Sequence, residues 1–125
     1  MRHPRYGIPS AARMAHRIRP DLIEFPPSTW RLCGANIPVA GGAYLRILPY
    51  GFLRAAAKKL NRRGIVLNNY FHVWEIDFLQ PKLKLPLGRF FLHYYGLKSA
   101  QGKFKSLLEE FQFAPVSQVI QNERF

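Results

Sequence analysis

Apolar and polar positions change period several times along the chain, and each change marks an element. In residues 28–33, Trp30 and Leu32 alternate with Arg31 and Cys33, the pattern of a half-buried strand. Gly34-Ala35-Asn36 supplies turn chemistry before the apolar run 37–40, so a hairpin is expected. Upstream, residues 22–25 read as a short strand stopped by Pro26-Pro27, because proline cannot donate to a sheet ladder. From Pro49 or Tyr50 the period becomes helical: Leu53, Ala56, Ala57 and Leu60 share a face with Phe52 beside them, and Gly64 is a natural stop. The run 65–77 is rich in β-branched and aromatic residues and is expected as a buried strand following that helix. Residues 78–88, with Pro81, Pro86 and Gly88, read as an extended connection. Ser99 offers an N-cap to a helix with Phe104, Leu107, Leu108 and Phe111 on one face, Pro115 closes it, and residues 116–121 add a short final turn. The first 21 residues, with Pro4, Gly7, Pro9 and Pro20 and no sustained period, read as an irregular arm.

Composition narrows the class. The chain has 125 residues with 48% apolar content, enough for one domain with a core. Its net charge of +12 is uneven. Residues 1–63 hold twelve Lys or Arg against Asp21 and Glu24, a net of +10, and residues 64–125 hold seven against five. Part of that excess has a structural reason, since Lys58, Lys59, Arg62 and Arg63 sit where cations oppose the negative end of a helix dipole. Cys33 is the single cysteine, which excludes an intrachain disulfide and a C-x-x-C zinc site and fits a reducing, cytoplasmic setting. No apolar run is long enough to span a bilayer, and the basic N-terminus lacks the apolar core of a signal peptide.

Candidate chemistry is sparse. Of the four histidines, His3, His16, His72 and His93, no two are three or four apart, so the sequence offers no self-contained metal site. There is no G-x-S-x-G elbow and no phosphate-loop continuation after Gly41-Gly42. The densest constellation is Tyr70, His72, Trp74, Glu75 and Asp77. In a strand, Tyr70, His72 and Trp74 share a face. Two readings stand: a proton donor beside a sugar packed on aromatic rings, or a core histidine satisfied by a backbone carbonyl.

Residues 5–9 (RYGIP), 22–29 (LIEFPPST), 37–50 (IPVAGGAYLRILPY), 70–77 (YFHVWEID), 80–83 (QPKL) and 93–97 (HYYGL) resemble the C-terminal region of NodB-type polysaccharide deacetylases associated with exopolysaccharide biosynthesis, which join a NodB-type domain to a C-terminal domain of unknown function. The resemblance implies an α/β chain: the C-terminal end of a distorted (β/α) barrel over residues 1–77, then a helical extension over 78–125. It implies hydrolysis of an N-acetyl group on a glycan, with a divalent metal, expected to be zinc, in the full-length enzyme. The family motif Tyr-x-His-Pro-Trp-Glu maps onto Tyr70, His72, Val73, Trp74 and Glu75, which makes His72 the catalytic proton donor to the leaving amine. An imidazole suits that task because an amine leaves poorly until protonated. Tyr70, Trp74 and Tyr44 are then substrate-binding residues, with Glu75, Asp77, Gly41, Gly42 and Arg46 in support. The chain departs from the family pattern in three places: Val73 and Phe78 stand where prolines are usual, and Ala43 where a third glycine is.

The family's early aspartate pair, His-x-x-x-His motif and arginine-proline motif have no counterpart in this sequence. The expectation is a deacetylase portion that is silent alone, its partners being an N-acetylated polysaccharide and the segment that holds the metal. Two other classes compete. One is a glycan-binding or scaffolding module using Trp74, Tyr70 and Tyr44. The other is a small basic nucleic-acid-binding domain, for which no helix-turn-helix, RNP or KH signature is present.

Overall fold

The computed structural model describes residues 11–122. Four short strands come first: β1 (His16–Arg19), β2 (Leu22–Glu24), β3 (Thr29–Leu32) and β4 (Ala35–Pro38). Five helices follow: α1 (Gly42–Ile47), α2 (Tyr50–Asn61), α3 (Leu87–Tyr94), α4 (Leu97–Glu110) and α5 (Val116–Asn122). A single 3-10 turn at Val73–Glu75 lies between α2 and α3. The mixed α/β character expected from sequence holds. Among the described residues the strands form two separate two-stranded antiparallel sheets, β1-β2 and β3-β4, and do not close into a barrel.

The β3-β4 hairpin follows from its turn. Leu32 pairs with Ala35, so the two-residue loop is Cys33-Gly34, both with positive φ (48° and 80°), and Ala35 and Asn36, expected in the turn, belong to β4. Turns of that kind match the right-handed twist of the flanking strands. The arm expected over the first 21 residues needs correction, because His16–Arg19 pairs with Leu22–Glu24 around a bulge. The Arg17 side chain donates to the Pro20 carbonyl and secures that tight reversal. The motif at residues 5–9 and His3 lie outside the described residues.

Helix α2 is as expected: Pro49 precedes it, Leu53, Ala56, Ala57 and Leu60 are buried, and Gly64 leaves it at φ 70°. Leu53, Ala56 and Leu60 join Val39, Leu45, Ala100 and Leu107 in one core, so the core draws on both sides of residue 77. Full burial of each such Leu stabilises by roughly 1.5–3 kcal/mol. On the α4 face, Leu107 is buried and Phe104 and Phe111 pack against the core, whereas Leu108 is exposed. Ser99 does not cap α4. Gly96, left-handed at φ 75°, precedes the helix, and the Ser99 hydroxyl donates instead to the Gly96 carbonyl at 2.9 Å. Lys103 of α4 reaches the end of α1, donating to the carbonyls of Leu45, Arg46 and Leu48 at 2.8–3.1 Å. Desolvation there pulls its pKa below the usual lysine value.

The expected strand over 65–77 is the largest correction. Residues 65–72 carry no strand ladder, and the chain then enters the 3-10 turn. The local chemistry explains this. The Asn68 side chain donates to the carbonyls of Phe25 and Pro26, its N–H donates to Ser28 Oγ at 2.8 Å, and the Ser28 N–H donates back to the Asn68 carbonyl at 3.3 Å. Asparagine amides thus satisfy a loop-to-loop crossing where β-branched propensity alone favours a ladder. The connection expected over 78–88 also ends early, since α3 begins at Leu87 behind Pro86.

Candidate functional site

The segment after α2 and the start of α1 meet at Gly41-Gly42. Gly41, at φ 106°, donates its N–H to Asn69 Oδ1 at 3.0 Å, and a Cβ there would stand 3.2 Å from the Tyr70 ring. Gly42 lies against the Glu75 carboxylate, in a space that a Cβ would occupy. Gly42 is therefore required by close approach, and Gly41 by its positive φ. Ala43, in the third position, is half-buried.

Glu75 is buried and holds three elements together. It accepts the His72 N–H at 2.9 Å while its own N–H donates to the His72 carbonyl at 2.9 Å, which closes the 3-10 turn. Its other oxygen lies 3.7 Å from Arg46. Arg46 in turn donates to the carbonyls of Leu92, His93 and Tyr95 at 2.6–3.3 Å, capping the C-terminal end of α3. Burial lowers the Arg46 pKa, and Glu75 opposes that shift.

Above this pair lie the rings. Trp74 stacks on His93 with centroids 4.3 Å apart and planes at 6°, and the Arg46 guanidinium sits 5.1 Å from the Trp74 centre. His72 lies nearly parallel to Trp74 at 6.4 Å, and Tyr70 stands edge-on to His72 at 6.5 Å. Tyr70, His72 and Trp74 thus share one side of the chain as expected, although an extended segment and a 3-10 turn place them rather than a strand. With Gly41, Gly42, Tyr44, Arg46 and Glu75 they line a cleft of about 540 Å³. Nine residues were named from sequence, and this cleft gathers all of them except Asp77. Asp77 is exposed, and its carboxylate accepts the Leu79 N–H at 3.0 Å.

Sequence reasoning missed His93 and Arg89, which α3 contributes to the cleft wall. Their signal lay in the motif at 93–97 and in a helix hidden behind Pro86. Chemically, the cleft offers an exposed imidazole at His72, a half-exposed phenol face at Tyr70 and a guanidinium at Arg89. These can donate protons or hydrogen bonds to a neutral or anionic polar ligand. The metal implied by resemblance does not fit these residues: among the described residues no three His, Cys, Asp or Glu side chains come together as ligands.

One protein-family model, described as a domain of unknown function (DUF3473), matches residues 1–121. No curated protein and no solved structure matches the chain.

Proposed function

The chain belongs to that family, and from this premise we propose that it is the portion of a NodB-type polysaccharide deacetylase that supplies the proton donor, His72. The metal-holding residues would come from a preceding segment. The observation that carries this reading is the placement of His72, exposed in a cleft with its backbone N–H fixed by buried Glu75. Family membership agrees with the resemblance, whose members carry a domain of unknown function after the NodB-type domain.

In this reading the chain binds an N-acetylated glycan against Tyr70 and Tyr44 and aims the His72 imidazole at the departing nitrogen. Glu75 holds the turn that carries His72, and Gly41 and Gly42 let the turn close on α1. The barrel architecture is part of the same proposal, with the two hairpins and the loop crossing at Ser28–Asn68 as one end of it.

The test is acetate release from N-acetylglucosamine oligomers in the presence of zinc. The chain alone is expected to release none. Mixed with a NodB-type segment carrying the aspartate pair and His-x-x-x-His motif, it should become active, and His72→Ala should remove that gain. Zinc-dependent release by the chain alone, or a reconstituted activity indifferent to His72→Ala, would overturn the reading.

A glycan-binding module is the second reading, favoured by the gathering of Tyr44, Tyr70 and Trp74 in one cleft. Because His93 covers one face of Trp74, Tyr70, at 51% exposure, is the better sugar platform. Titration with the same oligomers should then be abolished by Tyr70→Ala without any reaction.

A further inference from the structure

Helix α3 buries none of its eight residues. Leu87 is 90% exposed and Phe91 63%, and in the segment before the helix Leu79 and Leu83 are 79% and 61% exposed. The Tyr94 hydroxyl accepts the Leu83 N–H at 2.9 Å and ties that segment back to α3. Phe91 and Tyr95, one turn apart and both exposed, pair with ring centroids 4.8 Å apart. Exposed apolar groupings of this kind mark surfaces made for contact.

The charge around them has one sign. Residues 79–98 contain Lys82, Lys84, Arg89 and Lys98, all exposed, and no Asp or Glu. The preceding acids are engaged, Asp77 with the Leu79 N–H and Glu75 with Arg46. We propose that α3 and the segment leading into it form a docking surface for an anionic phospholipid membrane. The element lies in the interface with Leu83, Leu87 and Phe91 among the acyl chains and the cations at the headgroups.

Two features favour lipid over a protein partner. Leu83, Leu87 and Phe91 are 61–90% exposed, and a fluid boundary accepts such side chains without a complementary groove. The interleaved cations and aromatic residues are the composition of interfacial helices. No helix among the described residues is long and apolar enough to cross a membrane. The proposal does not rest on deacetylase chemistry.

The experiment is flotation of the purified chain with vesicles of phosphatidylcholine and phosphatidylglycerol, against vesicles of phosphatidylcholine alone. Binding is expected only to the anionic vesicles and should fall with added salt. Lys82→Ala and Lys84→Ala should each weaken it by about fivefold. The double change Leu87→Asp, Phe91→Asp should abolish it, with helicity by circular dichroism retained. Arg62→Ala with Arg63→Ala, at the end of α2, should leave it unchanged. The proposal is overturned by a folded chain that ignores both vesicle types, or by binding that survives the Asp changes. It is equally overturned if Arg62 and Arg63 matter as much as Lys82 and Lys84, or if the Asp changes dissolve a dimer, which would make a second copy the occupant.

Discussion

The Glu75 carboxylate stands 3.7 Å from the Arg46 guanidinium, with the two side chains only 6% and 5% exposed. This pair joins the turn carrying His72 to α1 and, through the carbonyls that Arg46 caps, to the end of α3. Breaking one partner of a buried pair leaves the other charge uncompensated, at a cost of about 3–5 kcal/mol. Glu75→Gln and Arg46→Met should each lower stability on that scale in urea melts. The double variant should lose clearly less than the sum of the two, because neither charge then remains.

Two glycines give opposite expectations. Gly96 has φ 75°, and a Cβ there would strike the Arg46 carbonyl, whereas Gly102 lies within α4 with open space beside it. Gly96→Ala should therefore destabilise by more than the roughly 1–2 kcal/mol of a left-handed backbone alone. Gly102→Ala should stabilise by about 0.5–1 kcal/mol, since it removes unfolded-state freedom from a helical position. Parallel urea titrations check both signs.

How much of this was legible in the sequence depends on where each element draws its stability. Helix α2 was legible because its own period buries Leu53, Ala56, Ala57 and Leu60, and the β3-β4 hairpin because Gly34 supplies the turn. The run 65–77 was misjudged because its β-rich composition is outvoted by partners distant in sequence: Asn68 binds Phe25, Pro26 and Ser28. Helix α3 was missed for the complementary reason. It buries nothing, so no inward-facing stripe separates it from the proline-rich stretch before it. The cleft was found through Tyr70, His72 and Trp74, whose spacing suggested a shared side on the wrong backbone. Its α3 wall was not, because His93 meets Trp74 only through tertiary packing.

Glu110 pins α2 to α4. Its carboxylate accepts from Arg54 at 2.6 Å, Lys58 at 2.7 Å and Tyr50 at 2.9 Å, and the Arg54 and Lys58 hydrogen bonds hold its pKa down at about 2. A carboxyl group depressed in the folded state contributes stability that is fully present above its unfolded pKa of about 4.5 and lost as pH falls through about 2. Thermal melts of the parent chain should therefore lose stability across that interval. Glu110→Gln should be less stable near neutrality and show a flatter decline between those pH values. An unchanged acid limb would mean that the exposed cluster is screened too well to matter.

His93 should act on the cleft by holding Trp74 rather than by chemistry of its own. Its ring lies 4.3 Å from Trp74 and within 6° of parallel, and its carbonyl accepts from Arg46, so stacking and capping both fix Trp74 against the turn that bears His72. A ring is what the stack requires, and an offset aromatic pair contributes about 0.5–1.5 kcal/mol beyond burial. In a Trp30→Phe background, where Trp74 is the remaining tryptophan, His93→Ala should strongly reduce the near-ultraviolet circular dichroism of Trp74. His93→Phe should restore it. In the reconstituted deacetylase the same pair should separate positioning from proton transfer. His93→Phe keeps most of kcat, whereas His72→Ala loses about 100- to 10,000-fold, the usual range for removing a general acid. Equal losses from His93→Phe and His72→Ala would show that the His93 nitrogens take part in the reaction and that the division of roles between the two imidazoles is wrong.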